Sequence, residues 1–231
     1  DADFLSRKIS LPKVTSEKDK SNLAVLIGSD KNVELKYTHF SVIFDAARRF
    51  ARFTAVNING NSLVRNSGVT KAWRRDARID VDRQCDDDFY VQSVAKESVY
   101  FQRGHLVRRV DPSWGSTAES KRAVEDTFHF TNAAPHHATF NNSIWGNLED
   151  YLLAKCDAGR KRMTVFTGPV FRPSDPASYG KKRPKGPYKV PVEYWKVAII
   201  QKTPTTIAAA AFKVGQQDQI AKLIGSERVF D

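Results

Sequence analysis

The apolar residues between positions 127 and 153 change their period within a few residues, and this change restricts the fold more than any other feature of the chain. Residues 127–132 (TFHFTN) alternate polar and apolar side chains, which predicts a half-buried strand that ends near Pro135. Apolar side chains from Phe140 to Leu153 then follow helical spacing, and Gly159 lies just beyond the predicted end of that helix. A strand that leads directly into a long helix predicts a protein of mixed α and β structure.

Other parts of the chain add strands and a long connection. Strand-like runs cover residues 53–58, 163–166, 194–200 and 207–212. Residues 61–98 are rich in charge, so we interpret them as an excursion over the surface. Residues 1–22 lack apolar periodicity, so we place a lead segment or linker there and one domain at 23–231. A chain of 231 residues with 41% apolar content is long enough to bury a single substantial core.

The chain is strongly basic, with 37 Lys and Arg against 26 Asp and Glu, a formal charge of +11. Such a charge attracts polyanions, so nucleic acid is the expected partner. No apolar run approaches the ~18 residues of a membrane span, so no membrane partner is expected. Cys85 and Cys156 form no CxxC pair, which argues against a structural zinc site. The chain begins with Asp1, and we expect an excised or processed part of a longer protein whose localisation stays open.

One histidine has an unusual setting. The sequence contains no GxxxxGK[ST], GxGxxG, HExxH or GxSxG motif, but residues 102–105 read Gln-Arg-Gly-His. A glycine between Arg103 and His105 permits the backbone to approach a phosphodiester closely, with a guanidinium and an imidazole on either side. A single histidine more often has a structural role, so this tripeptide is weak taken alone.

A second candidate group lies on the predicted helix. Asn141, Trp145 and Glu149 are spaced by four residues, so they share one helix face. Magnesium prefers oxygen ligands and keeps most of its waters, so one amide oxygen and one nearby carboxylate are sufficient for a site. The alternative is a helix cap at Asn141 and a solvated acid at Glu149.

Taken together and in this order, these segments resemble the DNA/RNA non-specific endonuclease family. The matching blocks are QRGHLVRRVDPSWG, DTFHFTNAAPHHATFNNSIWGNLEDYL and RMTVFTGPVF, within residues 101–171. Weaker likeness covers about residues 41–212. The resemblance implies an α+β fold, with a central, mainly antiparallel sheet, a ββα-metal (His-Me finger) motif and flanking helices. It also implies a magnesium-dependent nuclease that cuts DNA and RNA without sequence preference and leaves 5′-phosphate ends.

The resemblance assigns a role to each polar residue of these blocks. His105 matches the general base, and Arg103 matches the arginine that holds a phosphate oxygen. Asn141 matches the direct ligand of Mg²⁺, for which Mn²⁺ can substitute. Glu149 matches the residue that holds a metal-bound water, and Asn132 either fixes the site or touches the phosphate.

Further basic residues are expected to contact the substrate. Lys71 is the nearest counterpart of an upstream arginine that binds phosphate in some family members. Lys181, Lys182 and Arg183 form a basic loop bounded by glycine and proline. An equally plain interpretation of that loop is a solvated surface segment.

Two departures from the family pattern leave alternatives open. Gln102 stands where the family motif has an aspartate, and it keeps the hydrogen-bond acceptor but loses the charge. His136 stands where many members have glutamine. One rival hypothesis is therefore a nucleic-acid-binding module with a weakened site. Another is a zinc hydrolase that uses His136 and His137, although adjacent side chains on an extended segment point apart.

An indiscriminate nuclease is toxic to its own cell. From that toxicity alone we expect control by export, compartmentation, an inhibitor, a fused regulatory domain or activation by cleavage. The oligomeric state, including a homodimer, stays open.

Overall fold

The structure is a computed structural model that describes residues 2–65, 68–69, 72–90, 101–178 and 187–224, the last four by their backbone alone. Its strands are β1 (Glu34–Tyr37), β2 (Phe40–Asp45), β3 (Phe50–Asn59), β4 (Gln102–His105), β5 (Ala133–His136), β6 (Arg162–Pro169), β7 (Ala177–Ser178), β8 (Tyr188–Lys189), β9 (Glu193–Gln201) and β10 (Ile207–Gly215). Its α-helices are α1 (Glu17–Ser21), α2 (Asp87–Tyr90), α3 (Thr117–Asp126), α4 (Ala138–Phe140), α5 (Gly146–Ala158) and α6 (Gln217–Ile224).

A six-stranded sheet forms the centre of the molecule, in the order β1-β2-β3-β6-β9-β10, and all of its pairings are antiparallel. The predicted antiparallel sheet is therefore confirmed. The four strand-like runs recognised in the sequence lie in β3, β6, β9 and β10. Strands β3, β6 and β9 are rich in β-branched and aromatic side chains that suit a pleated surface, whereas the alanine-rich β10 is held by its pairing with β9 along its whole length.

The main core lies between one face of this sheet and α5. Val56 of β3 and Val165 of β6 are buried opposite each other, and α5 covers this face with Leu152 and Cys156. The Cys156 thiol donates to the carbonyl of Lys161 at 3.0 Å, which ties the end of α5 to the start of β6. Each fully buried aliphatic side chain stabilises the folded state by about 1.5–3 kcal/mol.

Strands β4 and β5 form a separate antiparallel pair that leads into the helix α4–α5. The predicted strand at residues 127–132 is wrong. Thr127 instead caps α3, and Phe130–Asn132 form a single 3₁₀ turn. The alternating pattern produces no strand there because the Thr127 carbonyl accepts a hydrogen bond from the Asn132 side chain, at 3.0 Å, and is not available to a neighbouring strand. The strand begins at Ala133, and Pro135 lies inside it and not at its exit.

The predicted helix over residues 140–153 is present and extends from Ala138 to Ala158, interrupted by one π turn at Asn141–Trp145. Gly159 caps its end, as predicted. The π turn widens the helix where Asn141 and Trp145 face inward, and such turns are frequent at functional sites.

The lead segment contacts the domain, although its sequence has no apolar periodicity. Phe4 and Leu5 are buried, and the Phe4 ring lies 5.4 Å from the Trp114 ring. The boundary after residue 22 stays a prediction. No helix among the described residues has the length and apolar character that a bilayer crossing demands.

Candidate active site

The β4–β5 pair and the helix over residues 138–158, together called the finger, carry the predicted site residues Arg103, His105 and Asn141. In the register of the β4–β5 pair Gln102 lies opposite His136, and His105 lies opposite Ala133. Gly104 between them is buried, and a Cβ built on it would lie 2.0 Å from Nδ1 of His136. Only glycine fits at this position without displacing that ring, which explains the glycine of the motif in physical terms.

His105 lies at the end of β4, half-buried between aromatic rings. Its ring centroid is 4.8 Å from Trp73 and 5.2 Å from Phe128. The His105 carbonyl accepts a hydrogen bond from Nε1 of Trp145 at 3.2 Å, so the helix holds the backbone that carries the imidazole. Trp73 and Phe128 are site residues that the sequence interpretation missed.

Two side chains hold the amide of Asn141 in one orientation. Its Nδ2 donates to Oε1 of Gln102 at 2.7 Å, and its Oδ1 lies 3.0 Å from Nδ1 of His136. Burial lowers the pKa of His136 to about 3, so its ring is neutral at physiological pH, and a proton on Nδ1 would let it donate to this oxygen. An amide oxygen has two lone pairs, so Oδ1 keeps one for a further partner. Gln102 thus acts as an uncharged hydrogen-bond acceptor for Asn141.

Glu149 is buried beneath the site within a group of charges. Its Oε1 lies 3.4 Å from Nζ of Lys196, which is itself 2% exposed. Burial raises the pKa of Glu149 to about 7 and that of Asp111 to about 6, while the positive charge of Lys196 opposes both shifts. Arg108 forms an ion pair with Asp150 at 2.6 Å on the outer side of this group.

Asn132 is fully buried, and its amide is bonded to backbone on every side. Nδ2 donates to the carbonyls of Val107 at 2.9 Å and Thr127 at 3.0 Å, and Oδ1 accepts from the Val107 amide at 2.9 Å. Of the two roles predicted for Asn132, this arrangement favours fixing the site over touching a phosphate. Asn132 therefore holds the backbone segment that follows His105 in place through these hydrogen bonds.

Arg103 is held by an acidic partner that the sequence did not reveal. Its guanidinium forms an ion pair with Asp87 of α2, through Nε at 2.8 Å and through Nη2. The same guanidinium lies 6.0 Å from the centroid of the Trp73 ring. A phosphate bound by Arg103 would have to compete with Asp87 for it.

The remaining predicted substrate contacts lie outside the described residues: Lys71, Lys181, Lys182 and Arg183. A different residue, the buried Lys196 beside Glu149, was missed by the sequence interpretation. A charged residue at an inward-facing position of the Tyr194–Ile200 alternation was the available signal, because such positions are normally apolar.

The antiparallel sheet, the β4–β5 pair and the following helix define a ββα fold, with His105 on the first strand and Asn141 at the helix. The chain belongs to the DNA/RNA non-specific endonuclease family, whose model matches residues 20–228. Metal binding is general to this family, and the metal that this chain binds stays a prediction.

Relatives of the chain come from bacteria and animals. The chain is 33% identical to the uncharacterized protein y4fB of Sinorhizobium fredii over 221 residues, which are 94% of this chain and 32% of that protein. It is 32% identical to human mitochondrial endonuclease G over 133 residues, 54% of this chain and 43% of that protein. It is 24% identical to a nuclease of Serratia marcescens over 82% of this chain and 66% of that protein. The chain therefore spans less than half the length of the first two.

A solved structure supports the fold. The crystal structure of the EndoG/EndoGI complex, described as showing the mechanism of EndoG inhibition, matches with a TM-score of 0.65 at 16% identity. The match covers 80% of this chain and 74% of that one. At this identity it bears on the fold alone, and the predicted fold class is confirmed.

Proposed function

We propose that this chain is a magnesium-dependent endonuclease that hydrolyses phosphodiester bonds of DNA and RNA without sequence preference and leaves 5′-phosphate ends. The observation that carries the proposal is that one strand positions both His105 and the amide of Asn141. Strand β4 carries the histidine and, through Gln102, also fixes the amide of Asn141. A base and a metal ligand are thereby tied to one short strand.

The residues fit a hard divalent ion. Asn141 offers an amide oxygen, Glu149 a nearby carboxylate, and oxygen donors of this kind suit Mg²⁺ and Mn²⁺. In the described part of the chain no group of three or more His, Cys, Asp and Glu side chains could hold a metal. His136 is fully buried with Nδ1 already bonded to Asn141, so a zinc site built on His136 and His137 gains no support.

The chain's own residues then divide the chemistry. When bound, the ion would neutralise charge on the scissile phosphate. His105 would accept a proton from the attacking water, and Arg103 would leave Asp87 to bind a non-bridging phosphate oxygen. Glu149 would accept a hydrogen bond from the hydration shell of the ion. These contacts address the backbone and not base edges, which accounts for low sequence preference.

A metal titration with purified chain and plasmid DNA tests the proposal. Mg²⁺ and Mn²⁺ should support cutting, and Ca²⁺ should support it poorly because its larger shell positions water less well. Asn141→Ala should raise the Mg²⁺ requirement and lower the maximal rate, and Glu149→Ala should do less. Full activity after exhaustive chelation with EDTA would contradict the magnesium assignment. DNA binding without any cutting would instead favour the weakened binding module.

Control of such an activity also belongs to the proposal. A protein inhibitor or a fused regulatory domain stays a prediction from toxicity. The solved EndoG complex with EndoGI is the precedent among proteins of this fold.

A further inference from the structure

Lys196 is the least expected residue near the site. It lies on β9 between Tyr194 and Ala198, on the face that forms the core, and its side chain is 2% exposed. Burying an ammonium group costs several kcal/mol unless its hydrogen bonds and charge are compensated. An apolar side chain would fill the same space without that cost, so the contacts of this ammonium indicate what it does.

The Lys196 ammonium has two hydrogen-bond acceptors and one ion-pair partner nearby. Nζ lies 3.3 Å from the Leu106 carbonyl, 3.2 Å from Oγ1 of Thr167 and 3.4 Å from Oε1 of Glu149. Thr167 anchors the ammonium to β6 of the central sheet. Leu106 directly follows β4 and Glu149 lies on α5, both parts of the finger, so Lys196 joins the sheet to the finger.

Those two partners flank the residues of the proposed mechanism. Leu106 directly follows His105, and Glu149 lies on the helix that also carries Asn141, the proposed metal ligand. Nζ also lies 4.2 Å from the centroid of the Trp145 ring, whose Nε1 donates to the His105 carbonyl. Lys196 and Trp145 therefore support two consecutive carbonyls, that of His105 at the end of β4 and that of Leu106 directly after it.

We infer that Lys196 is a positioning residue that sets the spacing between His105 and Glu149 and keeps Glu149 available as an acceptor. This inference rests on the proposed function, and it assigns no contact between Lys196 and substrate. The charged groups that face Glu149 are Lys196 from β9 together with Arg108 and Asp111 from the segment after β4. Without Lys196, Arg108 would be the only cation among these described groups, and its guanidinium is already paired with Asp150.

The test is Lys196→Met, which keeps the length of the side chain and removes its charge. We expect kcat to fall by about 10- to 100-fold, the range for residues that orient a metal site, while KM for DNA changes little. The acidic limb of the pH–rate profile should move to higher pH by about one unit or more, because Glu149 loses its closest positive charge. Lys196→Arg, which keeps the charge, should recover part of the rate.

Lys213→Met is the matched control. Lys213 lies on the neighbouring strand β10, is exposed and pairs with Glu193 at 2.9 Å. Its loss should leave kcat and the pH profile unchanged. If Lys196→Met lowers only the folded fraction, so that the rate per folded molecule and the acidic limb match wild type, Lys196 is a structural filler and the inference is wrong.

A double variant covers the case in which Lys196→Met does not fold. Glu149→Gln with Lys196→Met removes both charges, so neither is left buried alone. We expect it to be slower than Glu149→Gln, because the Leu106 carbonyl also loses its donor, and equal rates would overturn the proposed support of the His105 strand. A wild-type chain that does not cut DNA in Mg²⁺ would instead overturn the proposed function and this role with it, whereas an active wild type with a fully active Lys196→Met overturns this role alone.

Discussion

Replacement of Asn132 by alanine should destabilise the protein more than it weakens substrate binding. The truncation leaves the Val107 amide and the carbonyls of Val107 and Thr127 without their side-chain partner in a fully buried place. Each buried polar group left unpaired costs about 1–3 kcal/mol, so the three groups together cost about 3–9 kcal/mol. That is a large part of the 5–15 kcal/mol that typically stabilises a domain.

Urea unfolding followed by tryptophan fluorescence measures this loss. Asn61→Ala is the control, because its side chain is exposed and donates to Oδ1 of Asn59 at 3.4 Å, outside the buried core. Asn132→Asp should be at least as unstable as Asn132→Ala, since a carboxylate oxygen would face two carbonyl oxygens. An Asn132→Ala protein that is as stable as wild type but has a raised KM for DNA would refute the reasoning and indicate a phosphate contact.

Two further predictions concern Gln102 and Glu149. Gln102→Ala should lower the free energy of unfolding by about 1–2 kcal/mol and cut more slowly, because Nδ2 of Asn141 loses its acceptor. Gln102→Asp should keep or modestly raise activity. Thermal melting and Mg²⁺ titration check both variants, and a fully active alanine variant would contradict the orienting role. For Glu149, the folded pKa of about 7 lies above the unfolded value of 4.5. The folded state therefore binds the proton more tightly, and wild type should lose stability relative to Glu149→Gln as pH rises from about 4.5 to about 7, by up to about 3 kcal/mol at ~1.4 kcal/mol per pKa unit. Urea unfolding of both proteins at pH 5 and pH 7.5 measures the difference, and a difference that does not change with pH would contradict the burial argument.

Local patterns predicted the elements whose side chains face one core. The helix from Ala138 to Ala158 and strand β9 follow from periodicity, because burial of one face dictates it, and strands β3, β6 and β10 follow from short strand-like runs. Residues 127–132 have the same alternation but form a turn, since the Asn132 side chain competes for backbone groups. That competition depends on Val107, which is distant in sequence, so the pattern could not reveal it.

The site residues also fall into those that the sequence could predict and those that it could not. His105, Arg103 and Asn141 could be selected because a compact motif carries each of them. Lys196 and Asp87 could not, because they meet the motif only through tertiary contacts with Leu106, Glu149 and Arg103. Gln102 is an intermediate case: the sequence showed the departure from the family pattern, and the contact with Asn141 showed its consequence.

The most direct test of the central claim is the rate and affinity of His105→Ala with plasmid DNA and single-stranded RNA in Mg²⁺. Loss of the base should lower the cutting rate by about 10²- to 10⁴-fold, and DNA affinity should stay near wild type because the imidazole acts in chemistry more than in binding. His137→Ala, which removes a histidine not assigned to the mechanism, should cut at close to the wild-type rate. Near-wild-type turnover in a folded His105→Ala protein would contradict the proposed mechanism.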